Sequence, residues 1–275
     1  MSTEAKVASH YTHGSLETTI LSALSASGKD IEHLNIADLA GIDEFHLGRH
    51  EATVQFARDL DLTEGMRLVD IGSGLGGPAR YFASNHGCIV HGIDLTDEFV
   101  NVANALTKRC DMSSEVHFQQ ASALALPFGD ASFDRATLIH VGMNIENKAA
   151  VFAEIRRVLR PGGLFGLYEV MKMRDSALLY PMPWAMTSET SFVEPPEVYR
   201  RLLNEAGFTV DFEEDRSALA LRLAQEMRAS AASGTQQMLS LGALMGASAA
   251  ERVANVTMSV QNGLLAPVEM IAVAG

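Results

Sequence analysis

The chain has 275 residues, 47% of them hydrophobic, enough for one large domain or for a domain with a lid. Its formal net charge is −13, with only 21 Lys and Arg and no basic block, which excludes nucleic acid and anionic membrane surfaces as partners. Two cysteines set no disulfide framework, and without a signal-like N-terminus or an apolar run of transmembrane length the expectation is a cytoplasmic enzyme with no stable membrane insertion.

Residues 1–44 read as an N-terminal helical cap. The run His10-Tyr11-Thr12-His13-Gly14 is followed by helical apolar spacing over Thr18–Leu24, and Leu34–Leu39 is a second short helical candidate. A helix is predicted from Arg49 to Leu60. The chain then alternates: strands at 67–71, 89–93, 115–118, 134–139 and 164–170, helices at 77–86, 97–109, 148–159 and 196–206. This predicts an α/β fold, a doubly wound and mostly parallel sheet with helices on both faces. Gly162-Gly163 is expected to end the helix at 148–159 and turn into the fifth strand. A sixth strand starts after Gly207 and a seventh covers Val268–Val273, so the core is read as residues 45–216 and 263–275.

Two stretches stand outside that alternation. Met171–Pro196 is rich in Met, Pro and Ser and holds the only tryptophan, Trp184. Residues 217–262 form a helical insertion before the last strand, broken near Gly234 and Gly242. It reads equally as a lid or as a packing face, including a homodimer interface.

The chemistry is concentrated at Leu68-Val-Asp70-Ile-Gly72-Ser73-Gly74-Leu-Gly76-Gly77, with Asp94 at the end of the next apolar run. A glycine turn between strand and helix allows positive φ and close approach of a ligand to the backbone. The glycines alone also suit a dinucleotide, but a pyrophosphate needs bare N–H groups. Asp70 beside the turn would repel that anion. It would attract the ammonium and sulfonium of S-adenosylmethionine (SAM). Asp94, at the second strand end, is placed to accept the ribose hydroxyls. Ser73 and Leu95 belong to the same two turns.

The motifs Asp70-Ile-Gly-Ser-Gly-Leu-Gly76-Gly77 and Gly92-Ile-Asp94-Leu-Thr96 resemble those of the class I SAM-dependent methyltransferases. Leu126-Pro-Phe128, Ser132-Phe-Asp134 and Arg157-Val-Leu-Arg-Pro-Gly-Gly163 are also typical of that class. The resemblance runs from about Phe45 to Val210 and looks nearest to small-molecule methyltransferases of the sarcosine/dimethylglycine and natural-product type. It implies a Rossmann-like sheet of seven strands, the last antiparallel beside the sixth. It implies SAM as cofactor and S-adenosylhomocysteine as product. The acceptor is expected to be a small molecule, first an amine nitrogen, alternatively a carbon or oxygen of a natural product, quinone or lipid.

The resemblance also assigns roles. The family carries an adenine-contacting acid at the third strand end, where this chain has Ser122; its hydroxyl or the Ala123 backbone N–H is expected to substitute, with Ala123 and Leu124 lining the adenine. His140, at the fourth strand end, is expected beside the transferable methyl, as a lining residue or as a general base. Met143 and Asn144 follow it. Tyr11 is the candidate for an N-terminal cap over the cofactor, and Arg49 for the methionyl carboxylate. Tyr168 and Trp184 offer an aromatic wall for a cationic or apolar acceptor. No metal-ligand spacing is visible. Two competitors remain: a nicotinamide-dependent oxidoreductase, against which Asp70 counts, and a SAM-binding protein without turnover, which Ser122 keeps open.

Overall fold

The computed structural model describes residues 2–232 and 242–275. The strands are β1 (Arg67–Ile71), β2 (Ile89–Asp94), β3 (Val116–Gln120), β4 (Phe133–Ile139), β5 (Leu159–Lys172), β6 (Phe208–Asp215) and β7 (Leu265–Ala274). They form one seven-stranded sheet in the order β3-β2-β1-β4-β5-β7-β6. The first five are parallel, and β7 lies between β5 and β6, antiparallel to both. The last strand therefore does sit beside the sixth, inserted within the sheet rather than added at its edge.

The helices are α1 (Thr3–Tyr11), α2 (Leu16–Ala26), α3 (Arg49–Asp59), α4 (Gly77–His86), α5 (Asp97–Arg109), α6 (Lys148–Val158), α7 (Pro196–Glu205), α8 (Ser217–Ala232), α9 (Gly242–Met245) and α10 (Ala249–Gln261). Both faces of the sheet are covered. Leu68 packs with Phe56, Leu60 and Phe82 on one face, while its neighbour Val69 packs with Phe133, Phe152 and Phe165 on the other. This is why the central strands read as continuous apolar runs rather than alternating ones.

The α1 helix was not evident in the sequence. It begins at Ser2, whose side chain accepts the Ala5 N–H, and it carries Tyr11 as its last residue. The candidate at Leu34–Leu39 is a short 3-10 helix over Ile36–Leu39, closed by a capping box between Asn35 and Asp38. Gly162-Gly163 does not end the preceding helix as expected. That helix stops at Val158, and the glycines lie inside β5 where its register against β4 shifts between Phe133 and Arg135. A side chain at Gly163 would lie 2.9 Å from the Arg160 carbonyl and 3.0 Å from that of Asp134, so the pair allows a close backbone crossing. Of the two breaks expected in the helical insertion, the one near Gly234 lies outside the described residues, and Gly242 starts α9.

The N-terminal segment is locked to the core by charge as well as by packing. Leu16, Ile20, Leu39 and Ile42 pack on Leu75, Phe99 and Leu106. Arg80, fully buried on α4, donates to Asp43 at 2.6 Å and to Thr107 at 3.0 Å. Removing one partner of such a pair leaves the other charge buried and unpaired. Asp43→Ala is therefore expected to lower unfolding free energy by about 3–5 kcal/mol in chemical denaturation, and Arg80→Met by less.

Candidate functional site

A cavity of about 370 Å³ opens at the carboxyl ends of β1, β2 and β4. Its floor is the glycine turn. Gly72 sits at φ +72°, and a Cβ there would lie 2.3 Å from a Val141 methyl, so the turn passes tightly beneath the β4 end. Gly74, at φ +54°, has no neighbour within 4 Å of its missing Cβ and faces the cavity, a cradle that a side chain would fill. Ser73 holds the turn by donating to the Ile93 carbonyl at 3.3 Å.

Two carboxylates stand over this floor. Asp94 accepts from the Gly74 N–H at 3.0 Å and from the Thr96 N–H at 2.8 Å, which ties the β2 end to the turn. Burial raises its pKa. Asp70, 2% exposed, accepts the Thr137 hydroxyl at 2.7 Å. Burial, with the Asp94 charge adding, pushes its carboxyl up to about 6 against the pull of Thr137. A buried acid in this state gains from a cationic ligand, which supplies the charge its surroundings lack.

Several expected residues converge on the cavity. Tyr11, Gly72, Ser73, Gly74, Asp94, Leu95, Ala123, Leu124, His140 and Asn144 line it together with Asp70. Tyr11 closes it from above, donating to Asn144 Oδ1 at 2.9 Å, and Asn144 in turn donates to the Trp184 and Thr190 carbonyls at 2.8 and 3.0 Å. The N-terminal helix is thereby stapled to the segment after β5.

Other expected residues fall elsewhere. Gly76, at φ +83°, caps the start of α4 and faces the Phe118 ring rather than the cavity. Ser122 does not line the cavity; its hydroxyl donates to Glu4 and accepts the Leu124 N–H. The Arg49 guanidinium is held by the Ala40 and Gly41 carbonyls, away from this cavity. Tyr168 is not at the rim: it is 1% exposed and packs beneath His140, with ring centroids 4.9 Å apart. β5 lies inside the sheet and is covered on both faces, so this side chain is enclosed in the core.

A second cavity of about 300 Å³ adjoins the first. Tyr11, Phe45, His46 and His140 line both. Met143, Val170 and Trp184 form one wall, and Ala220, Leu223 and Met227 of α8 with Met245, Val253 and Val256 form another. Arg49 and Arg228 are on its surface, and among the described residues no Asp or Glu lines it. The helical insertion thus supplies much of this cavity's wall.

The residues at the junction are fully engaged. His140, at φ +54°, has Nδ1 2.9 Å from the Tyr168 carbonyl, while Nε2 accepts the Leu47 N–H at 3.2 Å. These partners fix the neutral tautomer with its proton on Nδ1. The accessible edge of the ring faces the cavity rather than bulk water, and burial, with His46 nearby, holds its pKa down to about 3. A general base needs a free nitrogen, and His140 has none. His46 is bound to Glu44 at 2.8 Å and to the Leu47 carbonyl at 3.1 Å. Burial opposes the Glu44 charge, but hydrogen bonds from His46, His50 and Thr53 outweigh it and hold that carboxyl at about 2. His46, three residues before Arg49, carries no distinguishing signal in the sequence. Glu4 gave no sequence signal at all.

The family described as methyltransferase domain matches residues 69–167. Sterol 24-C-methyltransferase ERG6B of Gibberella zeae is 35% identical over 123 residues, 45% of this chain and 32% of that protein. Methyltransferase GfsG of Streptomyces halstedii is 28% identical over 173 residues, 62% of each chain. The crystal structure of the [4+2]-cyclase SpnF superposes with a TM-score of 0.67 at 22% identity, covering 93% of this chain and 92% of that one. Residues 69–167 therefore form a methyltransferase domain. A geranyl diphosphate methyltransferase structure in complex with SAM superposes with a TM-score of 0.65 at 20% identity, covering 82% of this chain and 85% of that one. The match spans about a third of the length of the sterol enzyme. Among the described residues no helix is long and apolar enough to cross a membrane, and no cluster of His, Cys, Asp or Glu is arranged for a metal ion.

His140 is expected to stay neutral across the physiological range, with no titration of its ring carbons by NMR between pH 5 and 8. Only the unfolded chain then binds this proton, so its linkage contribution makes stability fall as pH drops from about 6.5 towards 3. His140→Asn should remove that part of the acid sensitivity.

Proposed function

We propose that this chain transfers the SAM methyl group to a carbon atom of an apolar small molecule held in the second cavity. The observation that carries this reading is the lining of that cavity: apolar side chains, two arginines, and no carboxylate among the described residues. An ammonium acceptor would enter against Arg49 and Arg228 with no anion to offset its charge. The expectation of an amine nitrogen gives way for that reason. The sterol 24-C-methyltransferase relative, named for methylation at carbon, supports the same direction.

The cofactor fits the first cavity. Asp70 is the partner for its ammonium and sulfonium charge, Asp94 for the ribose hydroxyls, and Gly74 leaves the backbone open to close approach. Bound there, SAM supplies an electrophilic methyl carbon, and its sulfur leaves as a neutral thioether when the acceptor's electron pair takes the methyl group. The protein's own work is alignment and exclusion of water. Tyr11 and Asn144 close the roof, and the four residues common to both cavities set the direction of approach. An alcohol acceptor needs a base during transfer, and neither histidine at the junction offers a free nitrogen. An alkene, or a carbon acid that enters already enolised, needs none at that step.

Isothermal titration tests the cofactor placement. Affinity for S-adenosylhomocysteine is expected to fall as pH drops below about 6, because protonation removes the Asp70 charge that faces the ammonium, and Asp70→Asn should flatten that profile. Asp94→Ala should weaken binding by about 1–3 kcal/mol through the lost ribose hydrogen bonds. Unchanged affinity in Asp94→Ala would displace the cofactor from this cavity.

Mass-spectrometric turnover with deuteriomethyl-labelled SAM tests the acceptor. The panel comprises sterols, isoprenoid alkenes and enolisable polyketides against glycine, sarcosine, dimethylglycine and phenols. The expected result is carbon-bound label on a member of the first group. Label on an amine alone would overturn the carbon reading.

A further inference from the structure

We propose that Glu4, carried on the N-terminal helix α1, supplies the carboxylate that recognises the adenine amino group of the cofactor. The proposal rests on the placement of SAM in the first cavity.

The sheet order fixes where the base must lie. From β4 the strands run β1, β2, β3. A ligand with its amino-acid end at Asp70 on β1 and its ribose at Asp94 on β2 extends its base towards the end of β3. There the cavity is walled by Leu95, Ala121, Ala123 and Leu124. These side chains can cover the faces of a purine, but none accepts a hydrogen bond from its amino group. The third strand end itself carries no acid, since Ser122 holds the position where one would stand.

Glu4 fills that gap from the other end of the sequence. It lines the same cavity, and Ser122 donates its hydroxyl proton to Glu4 Oε1. That hydroxyl is itself oriented, because its oxygen accepts the Leu124 N–H at 3.1 Å. A carboxylate has two oxygens and about four acceptor sites, so one bond to Ser122 leaves Oε2 and the remaining lone pairs for a ligand. The helix that presents Glu4 is held down by the Tyr11–Asn144 bond, by a Lys6–Glu189 ion pair at 3.0 Å and by His10 against the Pro183 carbonyl. Ser122 thus acts as the seat for an acid brought by another element.

A purely structural role predicts something different. Glu4 lies in the first turn of α1, where a negative charge favours the helix whatever the cavity holds. The two roles separate in a ligand that lacks only the 6-amino group. The test compares, by isothermal titration, S-adenosylhomocysteine and its purine-riboside analogue in the wild-type chain, Glu4→Ala and Glu4→Gln. The wild type is expected to prefer S-adenosylhomocysteine by about tenfold, the scale of one hydrogen bond to a charged acceptor. Glu4→Ala should weaken S-adenosylhomocysteine by about that factor, leave the analogue within about twofold, and so erase the preference. Glu4→Gln, which keeps an acceptor oxygen, should recover part of it. A preference that survives in Glu4→Ala, or an equal loss for both ligands, would overturn the proposal. Failure of the wild type to bind S-adenosylhomocysteine at all would overturn the cofactor placement and this proposal with it.

Discussion

The site depends on one steric constraint, the close passage of the β1–α4 turn beneath the end of β4. Gly72 has no room for a Cβ because Val141 already occupies that space. The contact brings two different strand ends to one place. Asp70 comes from β1, and Thr137, His140 and Val141 come from β4 and the turn after it. The hydrogen bond from Thr137 to Asp70 follows from their pairing in the parallel register. A larger residue at position 72 would separate these strand ends and open the floor of the cavity. The glycine is required by backbone geometry before it is required by any ligand.

That crowding also explains the state of His140. A residue at positive φ at the end of a buried strand must satisfy its polar atoms locally, and here the Tyr168 carbonyl and the Leu47 N–H do so. The cost is the loss of a free ring nitrogen. The gain is a rigid, uncharged surface where the two cavities meet. A fixed imidazolium at that point would repel a sulfonium; a neutral ring with both nitrogens bound does not. Position at the reacting end of the sheet and capacity for base catalysis are therefore separate properties, and His140 has the first without the second.

The sheet was largely legible because its signals are local. The central strands β1, β2 and β4 are short, largely apolar and bounded by turns, and the helices from α4 to α7 lie within about a residue of their expected bounds. Asp70, Asp94 and the glycine turn were legible for the same reason, since charge and spacing within one βα unit already imply a cationic, ribose-containing ligand. What could not be read depends on contacts between distant segments. Tyr168 lies in a run, Phe165–Met171, that is buried on both faces, so no alternation marks which way its ring points. The Arg49 side chain was aimed at the cofactor because a motif placed it nearby, but its bonds to Ala40 and Gly41 are set by the turn before α3. Glu4 is 118 positions from Ser122, and no periodicity links them. The β5 bulge shows the same limit at shorter range: Gly162-Gly163 signals an irregularity, but whether it ends a helix or shifts a strand register depends on the neighbouring β4.

The distribution of labour along the chain follows from that contrast between local and distant contacts. The glycine turn, Asp70 and Asp94 come from one continuous βαβ unit. Beside Val170 of β5 and the turns before α3 and after β4, the second cavity is walled by three segments: the end of α1, the stretch after β5 that holds Trp184, and the helices inserted before β7. None of these three segments lies in the sheet, so their side chains can vary without disturbing the strand register or the glycine turn. Tyr11 lines both cavities and bonds Asn144. One helix thereby forms part of the wall of both cavities. In such an arrangement the acceptor cavity takes its final shape only when α1 is seated. Specificity for the acceptor then depends on the cofactor side of the cleft as well as on the residues that touch the acceptor itself.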